Sequence, residues 1–145
     1  MAVTTSLYNH TASLFANGTN LASNSYKVIL LSAGTFVATN TTLVQASSTY
    51  TELSTANGYT AGGLLLANVS VTITSTNDAK FDADDAIWNA TGSGITAAKA
   101  ILYNDSVAND PPLLFIDFGN NEFAPATTDF KIVWPAAGIF SFVTP

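Results

Sequence analysis

The sequence predicts an all-β protein, a single-domain β-sandwich of jelly-roll or Greek-key kind with a short N-terminal helix or arm. Three observations lead there. Thr and Val, which fit a pleated sheet better than a helix, are abundant; short apolar runs recur with turn signals between them; and only one segment carries convincing helical spacing. At 145 residues the chain has the size of one domain and can bury roughly two thirds of its unfolded surface. The expected division is an N-terminal helix or arm over 1–25 and a β-sandwich over 26–145.

The elements follow in order. Residues 6 to 16, SLYNHTASLFA, place Leu7, Thr11, Leu14 and Phe15 at helical spacing, with Ser6 as N-cap and Gly18 beyond the end. YKVILLS (26–32) is apolar on both faces apart from Lys27, as expected of a central strand. A Thr- and Ser-rich stretch runs on to the short strand YTEL (50–53). ANGYTAGG (56–63) holds the turn dipeptide Asn57-Gly58 and separates YTEL from LLLANVSVTIT (64–74). There Leu65, Ala67, Val69, Val71 and Ile73 alternate with polar residues, so a single long strand with one apolar face is expected. A turn over STND (75–78) leads to AKF and AIWN. The loop ATGSG precedes ITAAKAILYND (95–105), whose flanking Gly94 and AILY run favour a strand over an Ala-rich helix. PLLFIDFG, FKIVW and GIFSFV supply the last strands.

Composition narrows the function. Charged residues are 10% of the chain, the cations are Lys27, Lys80, Lys99 and Lys131 without any Arg, and the formal net charge is −6. Phosphate binding needs clustered Lys and Arg, so nucleic acid is not an expected partner. With no cysteine, thiol nucleophiles and zinc-thiolate sites are excluded. No stretch approaches the ~20 apolar residues of a membrane-spanning helix, and MAVTTSLYNHTASLF lacks the basic and apolar regions of a signal peptide. Neither a membrane nor a secretory route is expected. The N-x-[ST] triplets at Asn9, Asn17, Asn40, Asn68, Asn89 and Asn104 are what a chain rich in Asn, Ser and Thr produces by chance.

The candidate sites are few. FDADD concentrates Asp82, Asp84 and Asp85, with Asp78 four residues upstream, as possible oxygen ligands for Ca²⁺. The spacing is not that of an EF-hand, because position 6 counted from Asp82 is Ile87 and position 12 is Ser93. The competing reading is a loop between buried Phe81 and Trp88 whose carboxylates bond nearby backbone N–H groups. Asp117 lies inside LLFIDFG, opposite in phase to Leu114, Ile116 and Phe118, and reads as a structural acid. His10 is the only histidine and has no nucleophile elbow to serve. TAGG and TGSG lack the Lys of a phosphate loop. Among Tyr8, Phe15, Tyr26, Phe36, Tyr50, Tyr59, Trp88, Tyr103 and Trp134 a sugar-stacking platform is conceivable, though most fall in or beside strands where packing is the default. No enzyme activity and no cofactor are expected.

The strings LYNHTASLFANG, YKVILLSAGTF, YTEL with NGYTAGG, TNDAKFDADD with a Trp three residues on, AILYND before DPPLLFIDFG, and FKIVWPAAGIFSF run the length of the chain. Together they resemble a family of small virion structural proteins of tailed bacteriophages and prophages, similar to capsid cement or decoration proteins. The resemblance implies a β-sandwich made in the host cytoplasm and placed on the outer surface of the capsid. Its partner would be the major capsid protein, and it would form a homo-oligomer, a dimer or trimer, on the shell. It assigns no catalytic residues. The alternative is a carbohydrate-binding or adhesive β module of a tail fibre or baseplate. On either reading the apolar stripe of residues 1 to 25 packs over an open end of the sandwich or reaches a neighbouring subunit.

Overall fold

The computed structural model describes residues 3–20, 22–75 and 78–143. Its first strand, β1 (Thr4–Leu7), precedes a short helix, α1 (Thr11–Ala16). The helix predicted from Ser6 therefore starts later, because β1 lies antiparallel on a distant strand with Thr4 opposite Asp117 and Leu7 opposite Leu114. β-branched Thr4 and Thr5 suit that ladder, whereas an isolated helix of this length is marginal in water. His10 rather than Ser6 stands at the N-cap. Gly18 follows the helix with φ +78°, the left-handed geometry in which glycine ends helices.

Strand β2 (Tyr26–Gly34) is the axis of the main sheet, and Val28, Ile29, Leu30 and Leu31 are all fully buried. Its Lys27 meets Asp105 at 2.9 Å. The Thr- and Ser-rich stretch contains an unexpected helix, α2 (Leu43–Ser47), whose N-cap Thr42 side chain accepts the Gln45 N–H. Strands β3 (Tyr50–Glu52) and β4 (Leu64–Leu65) both pair with β2. Between them Asn57 and Gly58, at φ 55° and 93°, turn the chain from Ala56 to Tyr59 as the dipeptide signals. Gly63 has no substitute: at φ +88°, a Cβ there would lie 2.3 Å from the Val28 carbonyl oxygen.

The single strand expected over 64–74 is two. The ladder with β2 stops after Leu65, Asn68 adopts φ 52°, and pairing resumes as β5 (Ser70–Ser75) against β6 (Asp78–Asp82) in a different sheet. The STND turn includes Thr76 and Asn77, which lie outside the described residues, as do positions 1, 2 and 21 of the N-terminal segment. The remaining strands are β7 (Ala86–Asn89), β8 (Ile95–Asn104), β9 (Pro112–Ala124), β10 (Asp129–Ile132) and β11 (Phe140–Phe142). Ala-rich β8 is a strand, as its flanks predicted.

The main sheet runs β1-β9-β8-β2-β3, with β4 also on β2; opposite it lie β11-β6-β5 and the pair β10-β7. Every pairing is antiparallel, giving the all-β, sandwich-like domain that the sequence predicted. Val28, Leu30, Leu102, Leu114 and Ile116 of the main sheet meet Phe81, Trp88 and Phe130 of the small sheets in the principal core. The other face of the main sheet is also covered. There Ile29, Leu31, Ile101, Tyr103 and Phe115 pack under Tyr8, Phe36, Leu43 and Tyr50, so the polar stretch carrying α2 acts as a second lid. No helix among the described residues is long and apolar enough to cross a membrane.

Candidate functional site

The acids of FDADD do not converge. Lys80 Nζ bonds Asp82 at 2.7 Å, Asn68 Nδ2 donates to Asp84 at 2.7 Å, and the Ser75 hydroxyl donates to Asp78 at 2.7 Å. Asp85 accepts the backbone N–H of Trp134 at 3.0 Å, while the Trp134 indole N–H donates to the backbone carbonyl of Asp84 at 3.0 Å. Each of these acids thus has its own partner within the chain, and among the described residues no group of three or more His, Asp or Glu is placed to hold a metal ion. The loop between Phe81 and Trp88 thus holds Trp134 by two hydrogen bonds, beside the packing of its ring on the core.

Trp134 lines a cleft of about 700 Å³. The cleft opens where the two layers diverge, between β1 and β9 on one side and β10 with the 133–139 loop on the other. Leu114, Ile116, Phe118, Phe130 and Ile132 form its buried wall, and Val3, Phe123 and Val133 project at its mouth, 57%, 58% and 66% exposed. Glu122, Asp129 and Lys131 also line it. The mouth therefore sets three exposed apolar side chains beside a cavity of mixed apolar and charged lining. Nothing in the sequence singles out Phe123 or Val133, since which layers diverge is a tertiary property.

The other candidates have structural tasks. Lys99 Nζ bonds Asp117 at 2.5 Å and the Gly119 N–H donates to it at 2.9 Å, so this carboxyl is held below its ordinary range, chiefly by the lysine. The ring Nε2 of His10 bonds the Pro112 carbonyl at 2.7 Å, and among the described residues no hydroxyl is hydrogen-bonded to it. TGSG packs on the Asn57-Gly58 turn, where Asn57 accepts the Ser93 N–H through its side chain and the Thr91 N–H through its backbone, while in TAGG the Gly62 carbonyl accepts the Tyr103 hydroxyl. Glu52 receives both the Tyr59 hydroxyl at 2.7 Å and the Gly62 N–H at 2.6 Å, and the Leu30 N–H donates to the Tyr59 oxygen, filling the gap between β3 and β4.

Among the aromatics, Tyr8, Tyr26, Tyr59, Trp88 and Tyr103 are buried, and Phe15, Phe36, Tyr50 and Trp134 are half-buried. Burial raises the hydroxyl pKa of Tyr8, Tyr59 and Tyr103, and burial together with the Glu52 charge pushes Tyr50 up to about 12. No family model matches the chain, and no curated protein or solved structure shows significant similarity to it.

Proposed function

We propose that this chain is a non-enzymatic virion structural protein of a tailed bacteriophage or prophage, a capsid cement or decoration protein that binds the outer surface of the major capsid protein lattice and stabilises the head. The observation that supports this reading best is the apolar mouth formed by Val3, Phe123 and Val133 on a domain with only four cations and ten carboxylates. Such a surface can bury its apolar mouth against another protein while Glu122, Asp129 and Lys131 stay at a polar rim. A modest contact of this sort, repeated over a lattice of identical sites, accumulates into strong attachment. Acidity without arginine suits an outer face that does not meet packaged DNA.

The test is the copy number in purified particles together with the double variant Phe123→Asp, Val133→Asp. The wild-type chain is expected near stoichiometric ratio to the major capsid protein, and the variant is expected to fold but leave the particles. A handful of copies per particle would move the protein to the tail. Heat released on titration with host-surface polysaccharide, lost on Trp134→Ala, would support the alternative of a carbohydrate-binding or adhesive module of a tail fibre or baseplate.

A further inference from the structure

Strand β5 has the alternation of a strand with one buried face, yet its aliphatic side chains are not fully covered. Across β11, β6 and β5 the register forms two inward rows: Phe140, Phe81 and Val71, then Phe142, Ala79 and Ile73. The first row lies on the core. The second runs past it, so Ile73 is 85% exposed and Val71 is 42% exposed. Between this overhang and α1 lies a groove of about 410 Å³ lined by Ala12, Phe15, Ala16, Val71 and Phe142.

No charged side chain lines the groove, because Asp78, Lys80 and Asp82 of β6 alternate onto the opposite face of the sheet. Asn20 also lines it, 2% exposed. Its Oδ1 accepts the Asn104 amide at 2.7 Å, and Asn104 in turn accepts the Ser106 N–H, which fixes both amide orientations. That leaves Asn20 Nδ2 buried without an acceptor among the described residues. A groove with apolar walls and one waiting donor fits an aliphatic side chain carried next to a free carbonyl. An edge strand supplies both, and β5 is an edge strand whose six residues, SVTITS, carry no charge.

We propose that this face is a two-fold interface between two copies of the chain, with Ile73 of each seated in the α1 groove of the other and the two β5 edges antiparallel across the axis. A two-fold contact requires the projection and its receptor to lie on the same surface of one molecule, and here they are adjacent. A chain of net charge −6 also repels its own copy except across an uncharged strip, which this face provides. The inference goes beyond the shell-binding reading and stands on different residues.

Sedimentation equilibrium of the full chain tests it. The wild-type protein should run at twice 15.1 kDa. Ile73→Asp and Ala16→Lys each replace an exposed residue, so both variants should keep the wild-type circular dichroism while associating at least about tenfold more weakly. Mixing the two should restore dimers, since the new carboxylate meets the new ammonium at one half of the interface while the other half stays native. A wild-type protein that remains monomeric up to about 1 mM overturns the proposal, as does a folded Ile73→Asp variant that associates as tightly as wild type. Either result would leave the particle-binding experiment unaffected.

Discussion

Alkali should destabilise this protein before its buried tyrosines titrate. Tyr8, Tyr59 and Tyr103 are 3%, 2% and 4% exposed, and burial raises the pKa of each hydroxyl above the ordinary value. In the unfolded chain each ionises near pH 10. Above that pH the unfolded state binds fewer protons than the folded state, so stability is fully present below pH 10 and falls as pH rises. At pH 11 the loss is about 1.4 kcal/mol for each of the three, about 4 kcal/mol together, against a total of roughly 5–15 kcal/mol for a domain. The half-buried Tyr50, pushed up to about 12, adds a smaller amount. Thermal melts followed by circular dichroism should therefore show Tm falling by roughly 8–16 °C between pH 8 and pH 11. Tyr103→Phe supplies the sharper test. It removes the hydrogen bond that Tyr103 donates to the Gly62 carbonyl at 2.7 Å, costing about 1 kcal/mol at pH 7, but it also removes that residue's share of the alkaline loss. The variant should be less stable than wild type at pH 7 and at least as stable at pH 11. Parallel Tm curves for the two proteins, or tyrosinate absorption rising near pH 10 while the β signal persists, would refute the reasoning.

Asp85→Ala should lower Tm by about 2–4 °C through loss of one bond to the Trp134 backbone, and added Ca²⁺ should shift neither protein; a Ca²⁺-dependent rise confined to wild type would revive the metal reading. Asp117 is held below the ordinary carboxylate range mainly by Lys99, so its contribution is present above about pH 3.9 and is lost as pH falls below that; Asp117→Asn should flatten the fall in Tm between pH 5 and pH 2, and an unchanged slope would rule the pair out. Phe81→Ala empties the site where Phe140 stacks at 4.9 Å and Phe15 and Tyr26 meet the ring edge-on at 5.3 and 5.0 Å; urea denaturation should show a loss of about 3–5 kcal/mol, and less than 1 kcal/mol would mean that the cluster repacks.

Local chemistry made much of the fold legible. The Asn57-Gly58 turn, the two-faced apolar run of β2 and the Gly94 boundary of β8 each depend on a few neighbouring residues, and each appears where the sequence places it. Prediction failed where a distant partner decided. Leu7 sits at helical spacing from Thr11, but β9 takes up its backbone in a ladder. LLLANVSVTIT alternates from Ala67 onward and reads as one strand, yet its two ends belong to different sheets, and the positive φ of Asn68 marks the change. Helix α2 was readable in principle, since Thr42 and Gln45 form the T-x-x-Q start signal, but at five residues it had no periodicity to support it. At the candidate site the carboxylates of FDADD were visible and the partner of Asp85 was not, because Trp134 lies about fifty residues away in the chain.

The pairing of β1 with β9 also sets an order of events during synthesis. Thr4 waits for Asp117, and Tyr26 waits for Asn104, so neither β1 nor the β8-paired edge of β2 finds its neighbour until most of the chain has been made. At about 5–20 residues per second that delay is roughly 5–20 s, during which apolar, β-prone segments such as YKVILLS, whose one charge is Lys27, are exposed on the nascent chain. The β5-β6 hairpin can close early, whereas the main sheet can assemble only after β8 and β9 have left the ribosome. Slowing translation after YKVILLS has emerged should therefore increase aggregation, and slowing it before that segment is made should not.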